Sequence, residues 1–374
     1  MTLLDIEDLA VTFPVEGGTD VPAVDSVDLQ VEAGEIHGLV GESGSGKSVT
    51  ARSIMRLLDD AEVSAERFDY RGEDLYAKSE AEMRSVRGDD IAMVFQDSLS
   101  ALNPVMTVGE QIAEVVRHHG DVDESASLLS ELRRKYVTGT SESAPSWRRA
   151  VELLETVGIA DPEDVATSYP HQLSGGQRQR VMIASALGGD PSLIVADEPT
   201  TALDVTVEAS ILDELRRLCD EFDVAMLLIT HDLGVVSETC DSVTVMYSGS
   251  VMEYGQTDQL FESPAHPYTK GLLRSIPERA PTEGELTTIP GSAPEPADRP
   301  TGCPFRDRCP AAFDACSEPL PEHVVEDGHV THCHLYTEGD DPGDVSWDAT
   351  IEMDGEATVD EATDRTTATE VTDG

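Results

Sequence analysis

The sequence predicts an α/β protein built on a mostly parallel sheet. An antiparallel β-layer precedes it, a helical subdomain interrupts it, and a small cysteine-rich lobe and an acidic tail follow. Three observations carry this expectation. Short apolar runs rich in branched residues alternate with helical stretches through the middle of the chain. Short alternating runs fill Leu3 to Val31. Four of the six cysteines fall within Cys303 to Cys333, behind a stretch rich in Pro, Gly and acids.

In chain order, Leu3 to Val31 reads as antiparallel β because apolar and polar residues alternate. Glu35–Gly41, Asp90–Gln96, Ser192–Asp197 and Val224–Thr230 are short, apolar and bounded by polar residues or glycine, the pattern of strands buried on both faces. Helices are expected over Ser48–Leu58, Gly175–Leu187 and Val205–Phe222. The 76 residues from Asp97 to Gln172 show helical periodicity, as in Ala126–Tyr136 and Trp147–Val157, which predicts a helical subdomain inserted in the sheet domain. Ser242–Tyr247 and Val251–Tyr254 flank Ser248-Gly249-Ser250 as a hairpin. Pro277 to Pro304 reads as an irregular connector. Glu338–Gly374 is acidic, Thr-rich and nearly without large apolar residues, the composition of a disordered tail. The expected domains are therefore 1–260, with the helical subdomain at 97–172, then a C-terminal extension over 261–337 and the tail over 338–374.

The 374 residues suit one large domain with appendages, and 39% hydrophobic content can build its core. No apolar run approaches the ~18 to 20 residues that cross a bilayer. The start lacks a basic-then-apolar signal segment, so the chain is expected to be soluble and to stay where it is made. Against 25 basic residues stand 74 acidic ones, a net charge of −49. A field of that sign repels nucleic-acid backbones and argues against DNA or RNA as a partner. It could serve a basic partner, or it could adapt the surface to a cytoplasm of molar salt, where screening acts over about 3 Å. The acids are spread along the whole chain, which favours the halophile reading.

The chemistry sits in a series of motifs. Gly41-Glu-Ser-Gly-Ser-Gly-Lys47-Ser48 fits G-x-x-x-x-G-K-[ST] between a strand and a helix, the context this phosphate loop requires. Its glycines let backbone N–H groups point at phosphate oxygens at a helix N-terminus, Lys47 adds a point charge, and the Ser48 hydroxyl can ligate Mg²⁺. Leu193–Glu198 is an apolar strand ending in two acids: Asp197 can hold Mg²⁺ and Glu198 can polarise an attacking water. Leu173-Ser174-Gly175-Gly176-Gln177 opens a second helix with two glycines, a second anion-binding N-terminus.

Two such helix starts in one chain resemble the nucleotide-binding subunit of an ATP-binding-cassette (ABC) transporter, a P-loop NTPase. The resemblance implies that Leu173–Gln177 face ATP held by a second subunit, in a head-to-tail dimer. It also implies that Gly41, Ser43, Gly44, Ser45, Gly46, Lys47, Ser48 and Val49 bind the nucleotide and that Ser48, Gln96 and Asp197 hold Mg²⁺. Glu198 would be the general base and His231 would contact the γ-phosphate, with Gln96 beside them coupling nucleotide to the membrane partner. Asp204, in Ala202-Leu203-Asp204, would cross the dimer interface. Phe13 is the candidate to stack on adenine and could equally be core.

Ser263–Leu273, Ile289–Ser292 and Gly302–Pro310 closely resemble the dipeptide, oligopeptide and nickel permease branch, as does Phe95–Pro104. That branch implies uptake of peptides, nickel or sugars. It also implies a second ABC ATPase subunit (a heterodimer is favoured), two transmembrane permease subunits and an external solute-binding protein, with this chain on the cytoplasmic face of the membrane. A regulatory or assembly ATPase without a membrane partner is the alternative. Cys303, Cys309, Cys316 and Cys333 have the spacing C-x₅-C-x₆-C-x₁₆-C, which fits neither common zinc nor common ferredoxin patterns. The resemblance favours a [4Fe–4S] cluster over Zn²⁺ or plain buried thiols. It leaves open whether the metal staples the lobe or senses redox state, the staple being favoured. Cys219 and Cys240 read as core.

Overall fold

The computed structural model describes residues 1–15, 17–96, 101–120, 122, 140, 143–200, 205–276 and 289–337. The N-terminal layer is the expected antiparallel pair. Strand β1 (Thr2–Phe13) lies against β2 (Val21–Glu32), with Leu4 opposite Val31 and Phe13 opposite Val21. After β3 (Ile36–Val40) come β4 (Glu62–Ser64), β5 (Arg67–Tyr70) and β6 (Glu73–Asp74); β4 and β5 pair with β1, and β6 adds to β5. One face of this sheet buries Leu4, Ile6, Leu9 and Val11 against Val27, Leu29 and Val31.

The second sheet is the larger. It joins β3 to β7 (Ile91–Val94), β8 (Leu193–Asp197), β9 (Ala225–Thr230), β10 (Ser242–Tyr247), β11 (Ser250–Gln256), β12 (His323–Glu326) and β13 (His329–Thr331). Their order across the sheet is β12-β13-β11-β10-β3-β9-β8-β7. From β10 to β7 the neighbours are parallel, whereas β11, β13 and β12 are antiparallel. Every residue of β3, β8, β9 and β10 is buried, which is why these strands read as near-continuous apolar runs.

Helices α1 (Lys47–Ile54), α2 (Glu80–Ser85), α3 (Val108–His119), α4 (Pro145–Thr156), α5 (Pro162–Thr167) and α6 (Gly175–Leu187) precede β8. Helices α7 (Val205–Phe222), α8 (Leu233–Thr239), α9 (Thr257–Glu262) and α10 (Pro267–Arg274) follow it. Helix α1 stops short of the expected Leu58 because Arg56 turns left-handed (φ 47°) and the Leu57 amide bonds back to the Arg52 carbonyl. In the insert, Ile112 and Val116 of α3 and Trp147 and Leu154 of α4 join one core with Val181 of α6. The helix expected at Ala126–Tyr136 lies outside the described residues, as do residues 201–204 and the tail over 338–374.

The C-terminal residues join the same body. Strand β13 extends the large sheet beside β11, and Cys303, Phe305 and Cys316 belong to the core that holds Tyr247 and Tyr268. Among the described residues, no helix is long and apolar enough to cross a membrane.

Candidate functional site

The loop Gly41–Gly46 connects β3 to α1. Gly46 caps the helix in a left-handed conformation (φ 100°), and the Gly249 amide ties the loop to the β10–β11 turn through the Ser45 carbonyl at 2.9 Å. Lys47 folds into the loop it follows. Its Nζ donates to the carbonyls of Gly41 (2.8 Å) and Glu42 (2.9 Å) and to Ser45 Oγ (3.3 Å). Burial lowers the Lys47 pKa, and the charges of Glu198, Asp197 and Glu42 pull it back up. An ammonium that donates to two carbonyls and a hydroxyl can redirect those N–H bonds to the oxygens of a polyphosphate.

The adjacent hydroxyl meets the acidic strand end. Ser48 Oγ donates to Asp197 Oδ1 at 2.9 Å. Burial raises the Asp197 pKa against the lowering effect of that bond. A desolvated carboxylate beside a hydroxyl is a hard-oxygen donor set that fits Mg²⁺. Glu198, held in a left-handed conformation (φ 46°), bonds through its amide to the Ile229 carbonyl at 2.9 Å. Gln96 Nε2 donates to Glu198 Oε2 at 2.7 Å, and His231 Nδ1 stands 3.4 Å from Glu198 Oε1. Three strand ends, those of β7, β8 and β9, thereby converge on one carboxylate at the C-terminal edge of the parallel sheet. A cleft of about 420 Å³ opens there, lined by Gly41, Glu42, Ser43, Gln96, Glu198, His231, Leu233 and Leu272.

The signature segment stands elsewhere. Ser174 caps α6, accepting from the Gln177 amide at 3.3 Å, while Gln177 Oε1 accepts from the Ser174 amide at 3.0 Å, a reciprocal capping box. None of Leu173 to Gln177 lines the cleft. Phe13 ends β1 and packs, half-buried, against the core of the N-terminal layer. Asp204 lies outside the described residues.

In the C-terminal lobe Cys303, Cys316 and Cys333 are buried and Cys309 is half-buried. The Cys303 amide bonds the Cys316 carbonyl at 2.9 Å, and all four cysteines are free thiols. Among the described residues, no group of three His, Cys, Asp or Glu side chains converges to hold a metal. Burial, with a smaller contribution from the neighbouring cysteines, pushes the Cys303 thiol up to about 11 and those of Cys309 and Cys333 up to about 12. Cys219 and Cys240 are buried as expected, with Cys219 pushed up to about 12.

Sequence reasoning missed the C-terminal contribution to this site. Leu272 of α10 lines the cleft, and Arg308 bonds the Glu42 carboxylate from 266 positions away. Both fall in the segments Ser263–Leu273 and Gly302–Pro310 that resemble the permease branch, but nothing local ties either residue to the phosphate loop.

A phosphate loop, a magnesium-type oxygen pair and a polarised carboxylate at the end of a parallel sheet define a P-loop nucleoside triphosphatase. Comparison with known proteins narrows the class. Residues 24–201 match the ABC transporter family and residues 252–316 match the oligopeptide/dipeptide transporter C-terminal region. The oligopeptide transport ATP-binding protein AppD of Bacillus subtilis is 44% identical over 340 residues, 90% of this chain and 98% of that one. The dipeptide transport ATP-binding protein DppD of Escherichia coli is 44% identical over 338 residues, 89% and 97% of the two chains. A dimeric ATP-binding cassette solved in a post-hydrolysis state with ADP and Pi is 26% identical with a TM-score of 0.55, covering 68% of this chain and 98% of the other. The chain belongs to the ATP-hydrolysing ATP-binding subunits of ABC transporters, in the group that carries the oligopeptide/dipeptide transporter C-terminal region.

Proposed function

We propose that this chain is the ATP-hydrolysing motor subunit of a peptide importer. It would sit at the cytoplasmic face of the membrane with a second ATPase subunit and two permease subunits, fed by an external solute-binding protein. The observation that carries the reading is the convergence of Gln96, Glu198 and His231 beside the Gly41–Ser48 loop in one cleft. Near full-length likeness to oligopeptide and dipeptide transport ATP-binding proteins supports peptides as cargo.

In this reading Lys47 and the loop amides hold the β- and γ-phosphates, and Ser48, Asp197 and Gln96 hold Mg²⁺. Glu198 takes the proton of the attacking water while Gln96 and His231 fix its carboxylate. Leu173 to Gln177 serve the nucleotide of the second subunit, which accounts for their not lining this chain's cleft, and Asp204 crosses that interface. The test is Glu198→Gln in the assembled complex. Losing a general base costs about 10²- to 10⁴-fold in rate. Because Gln is nearly isosteric and uncharged, nucleotide binding persists and the closed dimer accumulates. Turnover near that of the unaltered complex would remove Glu198 from the base role.

Finer points follow from the same reading. The cassette spans 1–260 with the helical subdomain at 97–172, and the extension and tail span 261–337 and 338–374. The net charge of −49 is an adaptation to concentrated salt, tested by whether stability rises with KCl up to molar strength. Cys303, Cys309, Cys316 and Cys333 take up a [4Fe–4S] cluster as thiolates, Zn²⁺ being the other metal that suits four sulfurs. Iron, sulfide and zinc analysis after anaerobic purification separates the two, and protein free of all three would refute both.

A further inference from the structure

We infer that the C-terminal region positions the phosphate-binding loop through Arg308, which fixes and neutralises Glu42, the second residue of that loop. The inference rests on the nucleotide-site reading above and adds a positioning residue to it.

Arg308 is itself held from several sides, by its own region and by Tyr247 at the end of β10. Its Nε donates to the Pro290 carbonyl at 2.9 Å and one terminal nitrogen to the Ile289 carbonyl at 3.4 Å. Its guanidinium lies over the rings of Tyr247 (5.6 Å) and Phe305 (5.9 Å). The other terminal nitrogen donates to the Tyr247 hydroxyl at 3.1 Å and to both Glu42 oxygens, at 3.1 and 2.8 Å. A guanidinium so fixed dictates where the Glu42 side chain sits.

Glu42 is also gripped at its backbone. Its amide donates to the Tyr268 hydroxyl at 3.0 Å, and its carbonyl accepts from Lys47 Nζ at 2.9 Å. Tyr268 is fully buried on α10, edge-on to Tyr247 at 4.7 Å, and Leu272 of the same helix lines the cleft. Side chain, N–H and C=O of one loop residue are therefore all engaged, two of them by residues beyond β11.

The pair could merely fasten the C-terminal region to the sheet. Charge distinguishes the two roles. Glu42 places a carboxylate at the mouth of a loop built for polyphosphate, and Arg308 cancels it. Without Arg308, a half-buried carboxylate would stand unpaired beside the incoming phosphates.

The experiment measures KM for ATP and kcat in the assembled complex, with a thermal melt of each full-length variant. Arg308→Ala should raise KM about tenfold, the scale of a charged hydrogen bond, with kcat little changed. Adding Glu42→Gln to it should recover most of the affinity, because the unpaired charge goes. Arg308→Lys, which keeps charge but loses the fork, should fall between and is the deciding variant if Arg308→Ala does not fold. An unchanged KM in a folded Arg308→Ala or Arg308→Lys, or a double variant weaker than Arg308→Ala, would overturn the inference. Failure of the unaltered complex to bind ATP would instead overturn the nucleotide-site reading beneath it.

Discussion

Gly41→Ala gives the most direct structural test of how the phosphate loop is built. Gly41 leaves β3 with φ +151°, and a Cβ there would lie 2.1 Å from the Met246 carbonyl oxygen and 2.9 Å from Ser45 Oγ. Carbon and oxygen approach no closer than about 3.3 Å in ordinary contacts, so the loop and the end of β10 must part by about 1 Å. Overpacking of that kind costs about 1–3 kcal/mol and the backbone conformation about 1–3 kcal/mol more, together roughly 2–6 kcal/mol. The displacement falls on the carbonyl that seats Lys47 Nζ at 2.8 Å, so phosphate binding should weaken at least tenfold as well. Denaturant unfolding and nucleotide titration measure the two effects. Gly44→Ala is the control for stability: its φ is +81°, but nothing lies within 4 Å of the added Cβ, so only the backbone cost of about 1–3 kcal/mol applies. A Gly41→Ala chain as stable as the unaltered one, or no less stable than Gly44→Ala, would refute the reasoning.

Other perturbations separate fold from function. Ser174→Ala removes one half of the α6 capping box and should cost about 1 kcal/mol of stability. It should leave ATP binding to this chain's own loop intact yet cut turnover of the assembled pair well over tenfold; equal turnover would contradict the trans role. His37 is buried between Ser242 Oγ (2.7 Å) and Thr244 Oγ1 (2.9 Å), and burial lowers its pKa from 6.5 to about 3. The unfolded chain takes a proton there below pH 6.5 that the folded chain refuses. His37 therefore leaves stability intact above pH 6.5 and erodes it towards pH 3 by about 1.4 kcal/mol per unit. His37→Gln should flatten the stability profile by that slope between pH 6 and pH 4, and parallel profiles would show that His37 does not bind the proton on unfolding.

Much of this fold was legible because burial on both faces leaves a simple trace. Strands β3, β8 and β9 appear as apolar runs, and Gly175–Leu187 begins at a capping serine and ends at a glycine. The phosphate loop and the Asp197–Glu198 strand end were legible because phosphate and magnesium chemistry demand those residue types in close succession. What escaped depends on distant pairing. Strand β13 has three residues and pairs with β11 at Glu253–Thr331 and Tyr254–Val330. The buried Glu253 beneath it accepts from the amides of Ala265 and His266 and meets His329 Nε2 at 2.8 Å, a network no local pattern announces.

ATP hydrolysis at the Glu198 cleft should drive peptide uptake. Its most direct measurement uses the full complex in sealed vesicles, with this chain's nucleotide-facing surface exposed to ATP and labelled peptide plus the binding protein on the other side. Peptide should move towards the ATP side only with hydrolysable ATP and Mg²⁺, and the movement should stop with Glu198→Gln. Peptide movement that persists with Glu198→Gln, or ATP turnover in the complete complex that moves no peptide, would contradict that coupling.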